Sequence, residues 1–271
     1  NCGLTHFTIE KAAKEWGFQP SEWPEVSTST DDWPYIFLRE RGLTWVYSVG
    51  LLFTLSMGIT LIGRTFGKFT NDSLGRAMFF LGAAFMLVET KSVNQMGLLA
   101  GTTWIVNSCV FTAILLMILL ANFLQLKFRF QQLRTFYVLL FLALIASYFF
   151  PLSVLNGLPV GMGILAGSVI LSAPIFFAAI IFAATFSRVT DTSKALGMNL
   201  LGTLAGGVLE YLSMVTGTNA LNLLAAGLYG LAYYCTFSTP SNSSLAAEVQ
   251  AEVKEHTDGP EDSASSEKSE I

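Results

Sequence analysis

Polar side chains interrupt an apolar part of the chain in the sequence "VETKSVNQ", residues 88–95. The carboxylate of Glu89 stands two positions before the ammonium of Lys91, and the amides of Asn94 and Gln95 follow. Ionisable groups inside a membrane helix are costly to bury and commonly serve ions, protons or substrates. The stretch therefore predicts one of two things. It is either a polar cavity for a substrate or a proton, or a structural cluster that fixes the register of the helices.

Helical spacing spreads these groups around the helix. Glu89 and Lys91 point about 200° apart, so they cannot form a pair on one face. Lys91 can reach Gln95, and Thr90 can reach Asn94, because residues four apart are neighbours on a helix. A helix with polar groups on all sides must be surrounded by protein.

A second acid lies deep in another apolar segment, in "GGVLEYLSM", where Glu210 is the only charged residue. Because a charge at mid-membrane costs about 2.5–3.5 kcal/mol on insertion scales, each buried charge needs a partner. We therefore expect a contact between Lys91 and Glu210. Glu89 would then need protonation or amide donors such as Asn107 or Asn199.

Composition indicates the kind of protein that must position these groups. The chain has 271 residues, of which 52% are hydrophobic and only 13% charged. Soluble domains carry about 25% charged residues. Residues 135–187 contain no charged side chain at all. The chain is therefore expected to lie in a lipid bilayer, and nothing in its charge pattern indicates binding to nucleic acid.

Apolar segments long enough to span a bilayer, which takes about 20 residues, divide the chain. We expect an all-α fold, a polytopic bundle of about seven transmembrane helices that follows a short soluble remnant. The expected spans are 44–63, 77–101, 104–125, 136–155, 160–186, 195–215 and 219–237.

Basic residues occur in alternate links between these spans, eight against none. They are Arg64, Lys68, Arg76, Lys127, Arg129, Arg134, Arg188 and Lys194. The positive-inside rule places the links that carry them in the cytoplasm. With seven spans the C-terminal tail is also cytoplasmic and residues 1–43 are outside. Arg39 and Arg41 argue against that side for the N-terminal part. The alternative is an even number of spans with one re-entrant segment.

The chain divides into three parts. Residues 1–43 read as the end of a soluble domain and a connector, residues 44–237 as the membrane domain, and residues 238–271 as a disordered acidic tail. The first residue is Asn, and no signal peptide precedes the soluble start. We therefore expect this chain to be the C-terminal part of a longer protein.

Small-xxx-small motifs recur as "GLLAG" at 97–101, "GILAG" at 163–167 and "GTLAG" at 202–206. Glycine allows helix backbones to approach closely in lipid, so the motifs predict helix packing within the chain. The alternative is a face for a homo-oligomer. The three cysteines are widely spaced and the two histidines stand near opposite ends, so no metal site is expected.

Three stretches resemble one protein family. They are "STDDWPYIFLRERGL" (29–43), "FFLGAAFMLVETKSVNQMGLLAGTTWIVNS" (79–108) and "ALGMNLLGTLAGGVLEYLSM" (195–214). Together they resemble the bacterial membrane-bound spermidine synthase-like proteins, over roughly residues 25–237. In that family a soluble domain like an aminopropyltransferase or methyltransferase is joined to membrane helices.

The resemblance implies a function for a longer protein. The family's soluble domain has a Rossmann-like fold and binds S-adenosylmethionine or its decarboxylated form. The glycine-rich loop for that cofactor would precede residue 1, so we expect no cofactor and no catalytic residue in this chain. We expect the chain to contact the lipid bilayer and its own upstream soluble domain. The location implied is the inner membrane of a bacterium. Asp31, Asp32 and Trp33 match the family's connector motif, and the two acids are expected to cap a turn.

An alternative function belongs to another class. The chain could be a transporter-like or permease-like bundle whose polar cluster binds an amine or a proton. Ionised Glu89 and Glu210 would suit a polyamine. A third reading is a purely structural anchor.

Overall fold

The computed structural model describes residues 30, 32–35, 41–67, 72–101, 103–150 and 152–238. This part of the chain is helical and contains no strand, which confirms the predicted all-α class. Asp31, most of residues 1–43 and the acidic tail from residue 239 lie outside the described residues.

Seven long helices form the fold. They are α1 Trp45–Phe66, α2 Ser73–Ala100, α3 Trp104–Phe128, α4 Leu133–Phe149, α5 Val160–Phe186, α6 Thr192–Leu209 and α7 Ala220–Phe237. A 3₁₀ turn, Leu152–Gly157, precedes α5. A second 3₁₀ turn, Glu210–Leu212, and a helical turn, Ser213–Thr216, extend α6.

Six of these segments are long and apolar enough to cross a membrane, and α4 is a shorter apolar helix of 17 residues. The fourth span was expected to run to residue 155, but the helix ends at Phe149. Phe150 takes an extended conformation, with φ −68° and ψ 114°. It precedes Pro151 in the sequence, and the residue before a proline disfavours the helical conformation.

The second helix lies at the centre of the bundle. It packs against α3, α5, α6 and α7, whereas α1 packs mainly on α6 and buries none of its side chains. The main core joins α2 to α3, α4, α5 and α7 through apolar side chains such as Leu87, Ile175 and Tyr229. A helix enclosed in this way can carry polar groups on several sides, as the sequence of α2 requires.

Contacts between helix ends place the links on two faces. Ser73 Oγ, at the start of α2, donates to the carbonyl of Cys235, near the end of α7, at 2.8 Å. Arg188 Nη2, after α5, donates to the carbonyl of Gln131, between α3 and α4, at 3.3 Å. Arg134, at the start of α4, lies over the ring of Phe237 at the end of α7, 5.2 Å from its centroid, and joins these two pairs. The three links that carry basic residues and the end of α7 therefore share one face, which we call the basic face.

The opposite face carries the N-terminal connector, residues 32–35. This connector contacts the link between α6 and α7, and Tyr47 at the start of α1 packs on Tyr211 with ring centroids 6.1 Å apart. We call this side the connector face. The residues before α1 and the end of α7 thus lie on opposite faces, as an odd number of crossings requires.

The outer surfaces of α1 and α3 are apolar and exposed. Leu52, Phe53, Leu115, Leu119 and Leu126 each expose more than 60% of their surface. Such surfaces are typical of helices that contact lipid tails, since the bilayer replaces the protein core as their apolar surroundings.

Candidate intramembrane polar site

Close packing of α6 on α2 brings the two acidic segments together. The two helices run in parallel, and a Cβ atom on Gly202 would collide with the carbonyl oxygen of Phe79. A Cβ on Gly206 would lie 2.5 Å from the carbonyl oxygen of Ala83. The "GTLAG" motif is therefore used for packing within the chain, the first of the two roles predicted for it. Gly167, in "GILAG", is likewise closed over by Met96 of α2.

The contact between α2 and the end of α6 is made by Thr90. Its hydroxyl donates to Glu210 Oε2 at 3.2 Å. Glu210 also opens the 3₁₀ turn, and its backbone carbonyl accepts from Ser213 Oγ at 2.6 Å. The expected meeting of the second and sixth spans is thus present, with a hydroxyl as the donor.

The predicted contact between Lys91 and Glu210 is wrong. Lys91 is buried, with 2% of its surface exposed, and its Nζ has no hydrogen-bond partner among the described residues. The one ion pair in the described part of the chain joins Lys194 and Asp191 on the basic face, at 2.9 Å. Neighbouring positions on a helix point about 100° apart, so when Thr90 faces Glu210, Lys91 faces elsewhere.

Gln95 lies one turn beyond Lys91, and its side-chain carbonyl oxygen likewise lacks a hydrogen-bond partner among the described residues. Its Oε1 is buried and accepts no hydrogen bond from any described residue. Helical spacing lets Lys91 reach Gln95, but the two side chains form no hydrogen bond through these atoms. A buried donor and a buried acceptor, both unsatisfied, are uncommon in native proteins and call for an explanation.

The connector lies close enough to Lys91 for Asp32 to interact with it electrostatically. Lys91 stands nine residues before the end of α2, which is about 14 Å along the helix axis. The end of α2 lies on the connector face. The polar cluster therefore occupies the half of the bundle beneath the connector.

Asp32 and Trp33 fasten the connector to the link between α6 and α7. The backbone carbonyl of Asp32 accepts from the Thr218 amide at 2.7 Å, and its Oδ1 accepts from the Asn219 amide at 2.8 Å. Trp33 is fully buried and donates from Nε1 to the Met214 carbonyl at 2.7 Å. Asp32 thus satisfies backbone donors, as expected, but across the tertiary structure and not in its own turn.

Tyr35 completes this attachment. Its hydroxyl forms a short hydrogen bond with Ser213 Oγ. Burial raises the pKa of Tyr35, the hydrogen bond to Ser213 opposes that shift, and the nearby charges of Glu210 and Asp32 add to it. The connector therefore reaches the residues next to the Thr90–Glu210 contact. The pKa of Tyr35 depends on the charges of Glu210 and Asp32.

The remaining predicted residues take less defined positions. Glu89 and Asn94 are half-buried, and Glu89 forms no ion pair with another described residue. Asn199, proposed as a donor to Glu89, instead donates to the Met78 carbonyl at 3.2 Å, far along α2. Asn107 is half-buried near the start of α3.

Sequence reasoning missed Ser213, Met214, Thr218 and Asn219, which receive the connector. The signal available was "TGTN" before α7, a turn-forming sequence with hydroxyl and amide groups. Among the described residues, no group of three or more His, Cys, Asp or Glu side chains is arranged to hold a metal ion.

Comparison with known proteins adds no relative. No protein-family model, no curated protein and no solved structure matches this chain.

Proposed function

We propose that this chain is the membrane domain of a spermidine synthase-like protein and anchors a soluble transferase-like domain through the connector. The observation that carries the proposal is the attachment of Asp32 and Trp33 to the α6–α7 link by side-chain and backbone hydrogen bonds. A connector held in this way positions whatever precedes it against one face of the bundle. The proposal that the anchored domain is a transferase rests on the resemblance of the "TDDWP" and "VETKSVNQ" stretches to that family.

In this proposal the described residues do not bind the nucleotide cofactor. A Rossmann-like site needs a strand, a glycine-rich turn and a helix, and the described part of the chain contains no strand. S-adenosylmethionine or its decarboxylated form would be held by the upstream domain. The longer protein would transfer an aminopropyl or methyl group to an amine or a hydrophobic acceptor.

Sidedness is the sharpest test, because two expectations from the sequence oppose each other in this fold. The positive-inside rule puts the basic face, with the acidic tail, in the cytoplasm of a bacterial inner membrane. The connector face is then outside, away from the cytoplasm where S-adenosylmethionine is made. A transferase domain that uses this cofactor needs the connector face to be cytoplasmic.

The experiment compares two single-cysteine variants in a background in which Cys2, Cys109 and Cys235 are serine. Arg41→Cys reports the connector face and Arg129→Cys the basic face, since both side chains are exposed. Intact cells are treated with a membrane-impermeant maleimide. Labelling at Arg129→Cys alone puts the connector inside and supports the transferase anchor. Labelling at Arg41→Cys alone supports the positive-inside orientation and rules out a transferase domain that draws on cytoplasmic cofactor.

The connector attachment has its own test. Trp33→Phe removes the donor to Met214 and should expose the connector to proteolysis near residue 33. Trp45→Phe, at a side chain that is 73% exposed, is the matched control and should leave cleavage unchanged. Equal cleavage in both variants would show that this hydrogen bond does not hold the connector.

A second candidate function, an intramembrane site for an amine or a proton, rests on one different observation. Lys91 Nζ and Gln95 Oε1 are buried without hydrogen-bond partners among the described residues, on the helix that also carries Glu89. Binding of radiolabelled spermidine and S-adenosylmethionine should be measured for this chain and for the chain extended upstream. Each of the two proteins should be tested in its native form and with the double substitution Glu89→Gln plus Glu210→Gln. Spermidine binding by this chain that the double substitution abolishes would favour the second candidate.

For the proposed homo-oligomer, Gly202 and Gly206 offer no free face, because α2 covers both. Association between copies would have to use other surfaces, such as the exposed apolar surfaces of α1 and α3.

A further inference from the structure

A cavity of about 210 Å³ lies inside the bundle, between α2, α3, α5, α6 and α7. Its walls are mostly apolar, with Leu81, Phe85 and Phe182 among the lining residues. It lies nearer the basic face than the Thr90–Glu210 contact does, since its lining residues on α2 end at Phe85. Phe85 is 12 residues from the start of α2, or about 18 Å along its axis.

Tyr229 lines this cavity from α7 and is the polar residue buried most deeply there. Its side chain is fully buried, and its hydroxyl has no hydrogen-bond partner among the described residues. Buried hydroxyl groups in native proteins almost always have a partner. An unsatisfied phenol that lines a cavity is a donor available to an acceptor bound there.

Amide and hydroxyl groups complete the lining on the side of α3 and α6. Asn122 of α3 is exposed, and Asn199 and Thr203 of α6 are half-buried. The amide nitrogen of Asn199 is already bonded to the Met78 carbonyl. Asn122 leaves the cavity open at the outer surface of α3, six residues before this helix ends at Phe128, so a molecule enters from the side of the bundle.

We propose that this cavity binds a small, neutral, membrane-dissolved molecule that carries a hydrogen-bond acceptor, such as a carbonyl group. The lining residues that the structure describes carry no charge, which disfavours a charged ligand in a low-dielectric interior. The apolar walls hold the body of the molecule, and the Tyr229 hydroxyl, which is fully buried in this structure, must turn into the cavity to donate to its acceptor. This site is independent of the connector and of the function proposed above.

The test uses benzophenone, a neutral aromatic ketone that crosslinks to nearby C–H bonds under ultraviolet light. The purified chain in lipid nanodiscs is titrated with it, and the labelled peptides are identified by mass spectrometry. Tyr229→Phe removes the donor, and Ala179→Leu fills the cavity, since Ala179 lines it and is 6% exposed. Tyr234→Phe, on the same helix and 69% exposed, is the matched control.

We expect saturable labelling on the lining segments of α2, α5 and α6 in the native chain and in Tyr234→Phe. Tyr229→Phe should bind about fivefold more weakly, the effect of one hydrogen bond worth about 1 kcal/mol. Ala179→Leu should abolish saturable labelling. Thermal unfolding without benzophenone separates binding from folding, because losing an unsatisfied hydroxyl should leave Tyr229→Phe as stable as the native chain. Labelling that never saturates, or equal labelling of Tyr229→Phe or Ala179→Leu and the control, would overturn the proposal.

Discussion

Thr90 of α2 donates a hydrogen bond of 3.2 Å to Glu210 at the end of α6, across 120 residues of sequence. The neighbouring ammonium of Lys91 takes no part in this contact. A hydroxyl therefore couples the two helices, and the charged residues of "VETKSVNQ" are left to other roles.

Thr90→Val should destabilise the bundle by about 1–2 kcal/mol, because the Glu210 carboxyl loses its hydroxyl donor in a half-buried setting. A double-mutant cycle with Glu210→Gln isolates the pair, and we expect a coupling energy of about 1 kcal/mol. The measurement is thermal unfolding in nanodiscs. Additive effects of the two substitutions would show that the contact contributes nothing to stability.

Lys91→Met should raise the free energy of unfolding by about 1–3 kcal/mol. The substitution replaces a buried ammonium that has no hydrogen-bond partner in the described part of the chain by an apolar side chain of similar length. Lys127→Met is the control, since Lys127 is exposed on the basic face and its loss should change stability little. If Lys91→Met lowers stability, the ammonium has a stabilising interaction, and the electrostatic attraction of Asp32 is the first to examine.

Gly202→Ala should weaken the packing of α6 on α2, since its methyl group would collide with the Phe79 carbonyl. Overpacking of this kind costs about 1–3 kcal/mol. Gly207→Ala is a matched control on the same helix, where a methyl group meets no atom within 4 Å. It should leave stability equal or slightly higher, because alanine favours helix more than glycine does. Equal unfolding temperatures for the two variants would contradict the close approach of the helices.

Alkaline pH should loosen the connector through Tyr35. Its pKa is raised above the usual value of about 10, so the folded protein holds the phenolic proton more tightly than the unfolded chain does. The stabilisation is complete below pH about 10 and is lost as pH rises through the folded pKa. The ultraviolet absorbance of phenolate, recorded as the difference between the native chain and Tyr35→Phe, measures this titration. A difference spectrum with its midpoint at or below pH 10 would contradict the burial of Tyr35 against Ser213.

The sequence by itself determined the seven helices and their approximate ends. Apolar runs of about 20 residues leave few alternatives in a bilayer, where every backbone group must be bonded within its own segment. The alternation of basic links also indicated which links share a face, and the Arg188–Gln131 contact agrees with it. The expected use of "GTLAG" for packing followed from the absence of side chains on glycine.

Only the tertiary structure decided which polar groups meet. A helix can rotate about its axis without changing its apolar length, and a rotation of about 100° exchanges Thr90 for Lys91 at the interface with α6. The close approach of Gly202 to the Phe79 carbonyl fixes the rotation of α2 about its axis. In the same way, Asp32 could be assigned a backbone-capping role from its residue type. Its partners, Thr218 and Asn219, lie more than 180 residues away and became visible only when α7 was placed beside the connector.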